Sequence, residues 1–355
     1  MPALFGITKS NRDFSDSYYW GKNQFNSSFP VALACYMRSK GIKANYLKID
    51  RKMNVYRDLI DISEVFNAGS IPSDNLYFSF EDRYEPFRGL VHDALVQIDL
   101  VVKNTENGDF LRPIEIKLTT IPDNTTVELS EDKYGSEIVI RSATMRYMAL
   151  SMANSLSPFF EEIRNIFEPS CATIRGWDNK DEIKNNMKQI LLSLSIFIGK
   201  FFKYEKPLLM QPIWKTIGKS AELAENCLDI FIWSDFALTK LFMESALSYN
   251  RDRDGISRPE RTAVRLARFL YEMSSRNRVY QAPIYDGMTF GTQNDKEFAI
   301  PGNKTNIYMS CDRLTKPIIT KREIKNIILD GGQKWLSPER RFDAIIYFSK
   351  ELFDE

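Results

Sequence analysis

The sequence predicts an α/β fold: a mixed sheet flanked by helices, followed by a large helical region. Three observations carry this. Short runs rich in branched and aromatic residues (NYLKI, LYFSF, ALVQIDLVVKN, RPIEIKLTT) lie between about residues 40 and 120, separated by turn signals. From about residue 141 to 248 the apolar residues recur at helical spacing. The chain has 355 residues, 43% of them hydrophobic, enough to bury a large core in one domain or in two or three smaller units.

Residues 1–25 are polar and aromatic. Ser27, Ser28 and Pro30 then precede an apolar run, which marks a helix start, and Gly41 marks its stop. YEPFRGLVH (84–92) reads as a helical turn. ALVQIDLVVKN and RPIEIKLTT form a hairpin, because Asn107-Gly108 between them is a turn signal. RSATMRYMALSMANSL, 156–168, 180–204 and 218–248 read as helices. RDRDGISRPE (251–260) is a polar linker, and RTAVRLARFLYEMSSR a further helix. QAPIYDGMTFGTQNDKEFAIPGN is loop-like, 321–329 is a short amphipathic stretch, and FDAIIYFSKEL closes the chain. The expected division is a core with an N-terminal arm and the hairpin in 1–140, a helical region in 141–250, and an arginine-rich helix with the C-terminal region in 251–355. Integration of all three into one domain stays open.

Composition removes several functions. No run of about 18 apolar residues occurs, which argues against a membrane span. The start, MPALFGITKSNRDF, is too short and polar for a secretory signal, so a cytoplasmic protein is expected. Cys35, Cys171, Cys227 and Cys311 form no CxxC pair, and reduced, mostly buried thiols are expected. The net charge of +1 argues against non-specific coating of nucleic acid. The chain has one histidine, His92, so a histidine pair or a multi-histidine metal site is excluded. Carboxylates, lysine and a hard cation remain.

Asp99 lies in VQIDLVV, and Glu115 and Lys117 in PIEIKLT. Strand residues two apart share a face, so Glu115 and Lys117 point one way, and Ile114, Ile116 and Leu118 the other. An antiparallel partner strand brings Asp99 beside them. Phosphodiester hydrolysis needs a nucleophilic water and neutralisation of the charge developing on the phosphate. Two carboxylates can hold Mg²⁺, which polarises phosphate and activates water. A lysine can orient that water and stabilise the anionic transition state. Alone, E-x-K on a strand is an ordinary surface ion pair. The upstream aspartate and the scarcity of histidine favour the catalytic reading. Glu85 is a further candidate metal ligand, with Asp82 nearby. Glu128 and Glu131 read as surface acids, and His92 as a packing or hydrogen-bonding residue.

Arginines crowd 251–278, among them Arg258, Arg261, Arg265 and Arg268. The last three stand at i, i+4 and i+7 and so share one helix face. Arginine forks suit phosphates and guanine edges, so this face is expected to contact DNA. The rival is a solvated face laced with Glu260 and Glu272. In the N-terminal segment, Lys22, Asn23 and Gln24 are candidates to approach DNA, although most of that segment reads as a capping arm.

The arrangement Asp99…Glu115-x-Lys117 resembles the PD-(D/E)XK nuclease superfamily, with Ile98 where a proline is usual. SNRDFSDSYYWGKNQFNSSFPVALACYM (10–37), VQIDLVV and PIEIKLTTIPDNTT resemble the HindVP type of Type II restriction endonucleases over nearly the whole chain. This resemblance implies a restriction-endonuclease-like core. It implies a homodimer that uses Mg²⁺ to cut double-stranded DNA within the palindrome GRCGYC, and a cognate DNA methyltransferase that protects host DNA. Nothing in composition or spacing shows the recognition sequence. Two rivals are a PD-(D/E)XK nuclease of DNA repair or mobile-element processing, and a non-enzymatic helical interaction protein. The last predicts no Mg²⁺ dependence and an intact function in Asp99→Ala.

Overall fold

The structure is a computed structural model. It describes residues 31, 33–34, 36–38, 40–68, 71, 75–116, 138–140, 142–212, 215–217, 220–222, 230–247, 256, 258–290 and 298–300. In chain order the strands are β1 (Ala44–Ile49), β2 (Val55–Ile60), β3 (Leu76–Asp82), β4 (Ile98–Asn104), β5 (Phe110–Ile116), β6 (Ile138–Ile140), β7 (Pro207–Pro212), β8 (Lys215–Ile217), β9 (Ser220–Glu222), β10 (Ile230–Ser234) and β11 (Phe298–Ile300). The helices are α1 (Ile62–Val65), α2 (Ser142–Ser155), α3 (Phe160–Cys171), α4 (Lys180–Phe201), α5 (Asp235–Leu247), α6 (Arg258–Arg276) and α7 (Gln281–Asp286). A 3-10 turn spans Glu85–Leu90, as the sequence led us to expect.

Seven strands form one mixed sheet in the order β2-β1-β10-β7-β5-β4-β3. The pairs β5–β7 and β1–β10 are parallel and the rest antiparallel. A parallel neighbour cannot be reached by a tight turn. The chain goes from β5 to β7 through α2, α3 and α4, and this crossover covers one face of the sheet. One buried cluster joins Leu47, Val101, Leu209 and Trp233 of the sheet to α2 through α7. A second, on the opposite face, joins Tyr46, Leu100, Val102, Ile114, Ile116 and Ile232 to α1 and to the helical residues around 31–37. Neighbours along a strand thus fall in different clusters, as the pleat dictates.

Two expectations are corrected. The region read as helical over 141–248 is interrupted by strands, since β7 and β10 lie in it and at the centre of the sheet. IFIWS runs straight into DFALTKLFM, and a strand buried on both faces loses its alternation, so it reads like part of a buried helix. The stretch after 280 is also not all loop, since it holds α7 and β11. The first core cluster includes residues from Leu47 to Phe290. The stretches 321–329 and FDAIIYFSKEL lie outside the described residues. Among the described residues, no helix is long and apolar enough to cross a membrane. Of the four cysteines only Cys171 is described; it is a free, buried thiol, pushed up to about 12 by burial.

Charges are buried where β7 and β10 begin and end. Arg112 donates to the Pro207 carbonyl at 2.8 Å. Asp235, 1% exposed, accepts from the Ser151 hydroxyl at 3.2 Å and the Lys206 N–H at 3.3 Å. Glu205 accepts from the Ser234 hydroxyl at 2.9 Å and the Ile49 N–H at 3.3 Å. Burial pushes Asp235 up to about 6 and Glu205 up to about 7, against the pull of these hydrogen bonds. Both folded values lie above the unfolded ones, so the folded state holds these protons more tightly. Their contribution to stability is full below about pH 4 and is lost as pH rises through about 6 and 7. Asp235→Asn removes its share of that slope. Between pH 7 and pH 4 the wild type is expected to gain about 2 kcal/mol relative to Asp235→Asn. Denaturant unfolding at several pH values checks this, and parallel slopes would contradict it.

Candidate active site

The hairpin that the sequence predicts is β4–β5. Its turn closes with Gly108 at φ +75°, a left-handed conformation that glycine adopts without strain. The register pairs Leu100 with Ile114 and Val101 with Pro113. One step further along each strand, Asp99 and Glu115 stand side by side, at roughly 5 Å between Cβ atoms for such a pair. The Ile116 N–H donates to Asp99 Oδ2 at 2.7 Å, which ties the aspartate to the neighbouring strand. Both acids lie on the face covered by α2, since Leu100, Ile114 and Ile116 belong to the opposite cluster.

Glu115 is only 4% exposed, while Asp99 is partly open to solvent. Next to Glu115 on β7 is Leu209. From above, the Thr144 hydroxyl in the first turn of α2 donates to Glu115 Oε1 at 2.7 Å. One turn later the Tyr147 hydroxyl donates to the Pro113 carbonyl at 2.7 Å. One further turn on, Ser151 reaches Asp235. These three polar residues form a stripe on an otherwise buried, apolar helix and fix α2 over the β5–β7 seam. The sequence reading missed them. Their signal was polar residues at i, i+3 and i+7 among buried apolar ones.

Two adjacent carboxylates, one of them reachable from solvent, repel each other, and a hard cation between them relieves that repulsion. The donor set therefore fits a Mg²⁺-like ion. Among the described residues no group of three or more His, Cys, Asp or Glu side chains could hold a metal. Mg²⁺ held by two carboxylates keeps several waters. Lys117, Lys22, Asn23, Gln24, Glu128 and Glu131 lie outside the described residues, and Arg258 lies on α6.

Glu85 does not join the pair. It opens the 3-10 turn, about half exposed, and its carboxylate goes to Arg88 at 3.4 Å. Asp82 is likewise engaged, by Lys103 at 2.6 Å and Ser79 at 2.7 Å. Burial alone would raise Asp82, but these bonds and the Arg83 N–H bring it below the usual carboxylate range. His92 is exposed and stacks on Tyr280 at 4.8 Å, in keeping with a packing role.

The expected arginine surface is a correction. Arg261 and Arg265 are 7% and 3% exposed. Arg261 donates to the Ile256 carbonyl at 3.0 Å. Arg265 donates to the Met288 carbonyl and lies over the rings of Tyr285 (4.2 Å) and Phe290 (5.2 Å). Arg268 lies 5.0 Å over Trp177 and donates to the Ile284 carbonyl at 3.3 Å. Guanidinium planes stack on aromatic rings and are weakly hydrated, so this face docks α6 on α7 instead of meeting solvent. Further on, Arg278 donates to the Val91 carbonyl at 2.7 Å, and Gln281 to that of Ala94 at 2.6 Å. The Gln281 and Ala282 N–H groups donate to Asp93. The arginine-rich segment thus clamps the loop that leads into β4 and Asp99.

Comparison with known proteins gives a match along nearly the whole chain. The family model described as HindVP restriction endonuclease matches residues 20–353. The Type II restriction enzyme HgiDI of Herpetosiphon aurantiacus is 40% identical over 355 residues, covering 100% of this chain and 98% of the relative. The probable Type II restriction enzyme HindVP of Haemophilus influenzae is 42% identical over 353 residues, covering 99% of this chain and 95% of the relative. No solved structure matches the chain. A mixed sheet carrying Asp99 and Glu115 on adjacent strands, with this similarity along the whole length, places the protein in the HindVP restriction endonuclease family.

Proposed function

We propose that the protein is a Type II restriction endonuclease that hydrolyses phosphodiester bonds in double-stranded DNA with Mg²⁺ held by Asp99 and Glu115. The observation that carries this is the meeting of these two carboxylates in a chain similar to Type II restriction enzymes from end to end. The bound ion would polarise the phosphate and supply an activated water. Asp99, held by the Ile116 N–H, and Glu115, held by Thr144, keep the geometry of the pair fixed before DNA arrives. Lys117, two residues after Glu115, would steer the water and balance charge on the phosphate.

The recognition sequence we propose is GRCGYC, the one that the family resemblance implies. A palindrome suits a homodimer with one site per strand. A cognate methyltransferase would protect host DNA, and the cytoplasm is where both would act. With Arg261 and Arg265 buried and Arg268 held against Trp177, Lys22, Asn23, Gln24 and Arg258 remain the candidates for DNA contact. The test is incubation of the purified protein with unmethylated phage DNA, with and without Mg²⁺, followed by sequencing of the ends. Discrete fragments that require the ion and end within GRCGYC are expected. No cleavage over a range of salts and divalent ions would overturn the proposal.

A further inference from the structure

We infer that Thr144 is the positioning residue for Glu115: its hydroxyl sets the rotation of the carboxylate and so decides how the acid meets the cation. This rests on the reading of Asp99 and Glu115 as the cation-binding pair.

A glutamate has three side-chain torsions, and the last, between sp³ and sp² carbons, is broad. A strand fixes where Glu115 starts but not how its carboxylate turns. Thr144 supplies what the strand cannot. It is fully buried, and at 2.7 Å it donates to one named oxygen, Oε1. Its own freedom is small, because a β-branched residue in a helix is stiff at χ1. The helix that carries it is also pinned. Tyr147, one turn on, bonds the carbonyl of Pro113, two residues before Glu115 on the same strand. Ser151, one further turn on, bonds Asp235, the residue that follows β10. A shift of α2 along β5 would break the Thr144 and Tyr147 bonds together. The donor's height above Glu115 is therefore set by the same contacts that hold helix to sheet.

Asp99 is oriented differently, by the main-chain N–H of Ile116. That donor is built into the strand and survives any side-chain substitution. Glu115 accepts from a replaceable side-chain hydroxyl, so at Thr144 the orientation of the pair can be altered without touching either acid. Partners that orient metal-binding carboxylates typically change metal affinity by about 10- to 100-fold when removed.

The experiment compares Thr144→Val, which keeps the shape and deletes the donor, with Thr144→Ser, which keeps the donor. Mn²⁺ binding to the free protein is measured by calorimetry, with Glu115→Gln alongside, and cleavage is followed against Mn²⁺ concentration. Thr144→Val is expected to weaken Mn²⁺ binding about 10-fold and to raise the half-saturating Mn²⁺ by a similar factor, with the KM for DNA within about twofold. Thr144→Ser is expected to restore Mn²⁺ binding to within about threefold. Wild-type Mn²⁺ affinity in Thr144→Val would overturn the inference. So would equal damage in both variants, because that would be a packing effect. If Glu115→Gln itself binds Mn²⁺ like the wild type, the reading of the pair has failed, and Thr144 falls with it. If only Glu115→Gln loses binding, the pair stands and Thr144 alone is refuted.

Discussion

Glu115→Gln and Asp99→Asn are each expected to slow DNA cleavage by about 10³-fold or more while leaving the fold intact. A bound cation contributes several kcal/mol to a phosphoryl transition state. At about 1.4 kcal/mol per tenfold, the loss of one anionic ligand reaches that range. The amide variants isolate charge from structure. In Glu115→Gln the amide carbonyl can still accept from Thr144, and in Asp99→Asn it can still accept from the Ile116 N–H, so both observed hydrogen bonds keep an acceptor. Folding should therefore hold. Single-turnover cleavage together with thermal melting checks this. A variant that melts like the wild type and cuts within tenfold of it would remove that acid from the site.

The largest stability effect is expected at Trp233→Ala, a loss of about 3–5 kcal/mol. Trp233 is fully buried in β10. It pairs with Leu47 on one side and Leu209 on the other, and Leu209 in turn pairs with Glu115. This side chain therefore fills the middle of the sheet row that ends in the candidate site. Truncation leaves a cavity that helices pinned on both sides cannot close. Trp233→Phe is expected to be milder, and it also removes a buried indole N–H that has no partner among the described residues. Denaturant unfolding gives the number. A cost below about 1 kcal/mol for the alanine variant would mean that the core around β10 is far looser than the structure has it.

What was legible in the sequence was local. The β4–β5 hairpin could be read because two alternating strands flank an Asn-Gly turn, and the pleat then places Glu115 opposite Ile114 and Ile116. The helices α2, α3, α4 and α6 could be read from their periodicity. What was not legible depends on distant partners. β7 and β10 lie in the middle of the sheet and show no alternation, and the β5–β7 seam joins residues about a hundred positions apart in the chain. Arg261, Arg265 and Arg268 looked like a cationic stripe because their spacing is that of a solvated face. The groups that receive them, Tyr285, Phe290, Trp177 and carbonyls of 256, 284 and 288, come from other segments. Thr144 was invisible for the same reason: a threonine in a first helical turn is ordinary until a carboxylate is found above its hydroxyl.

The claim on which everything else depends is that Asp99 and Glu115 hold one cation together. Anomalous diffraction from crystals of the wild type grown with Mn²⁺ and a duplex carrying GRCGYC tests it most directly. An anomalous peak bridging the two carboxylates is expected, with oxygen ligands at about 2.0–2.2 Å, close to the distances of Mg²⁺ sites. A peak bound to neither acid, in crystals whose DNA is cut, would contradict it.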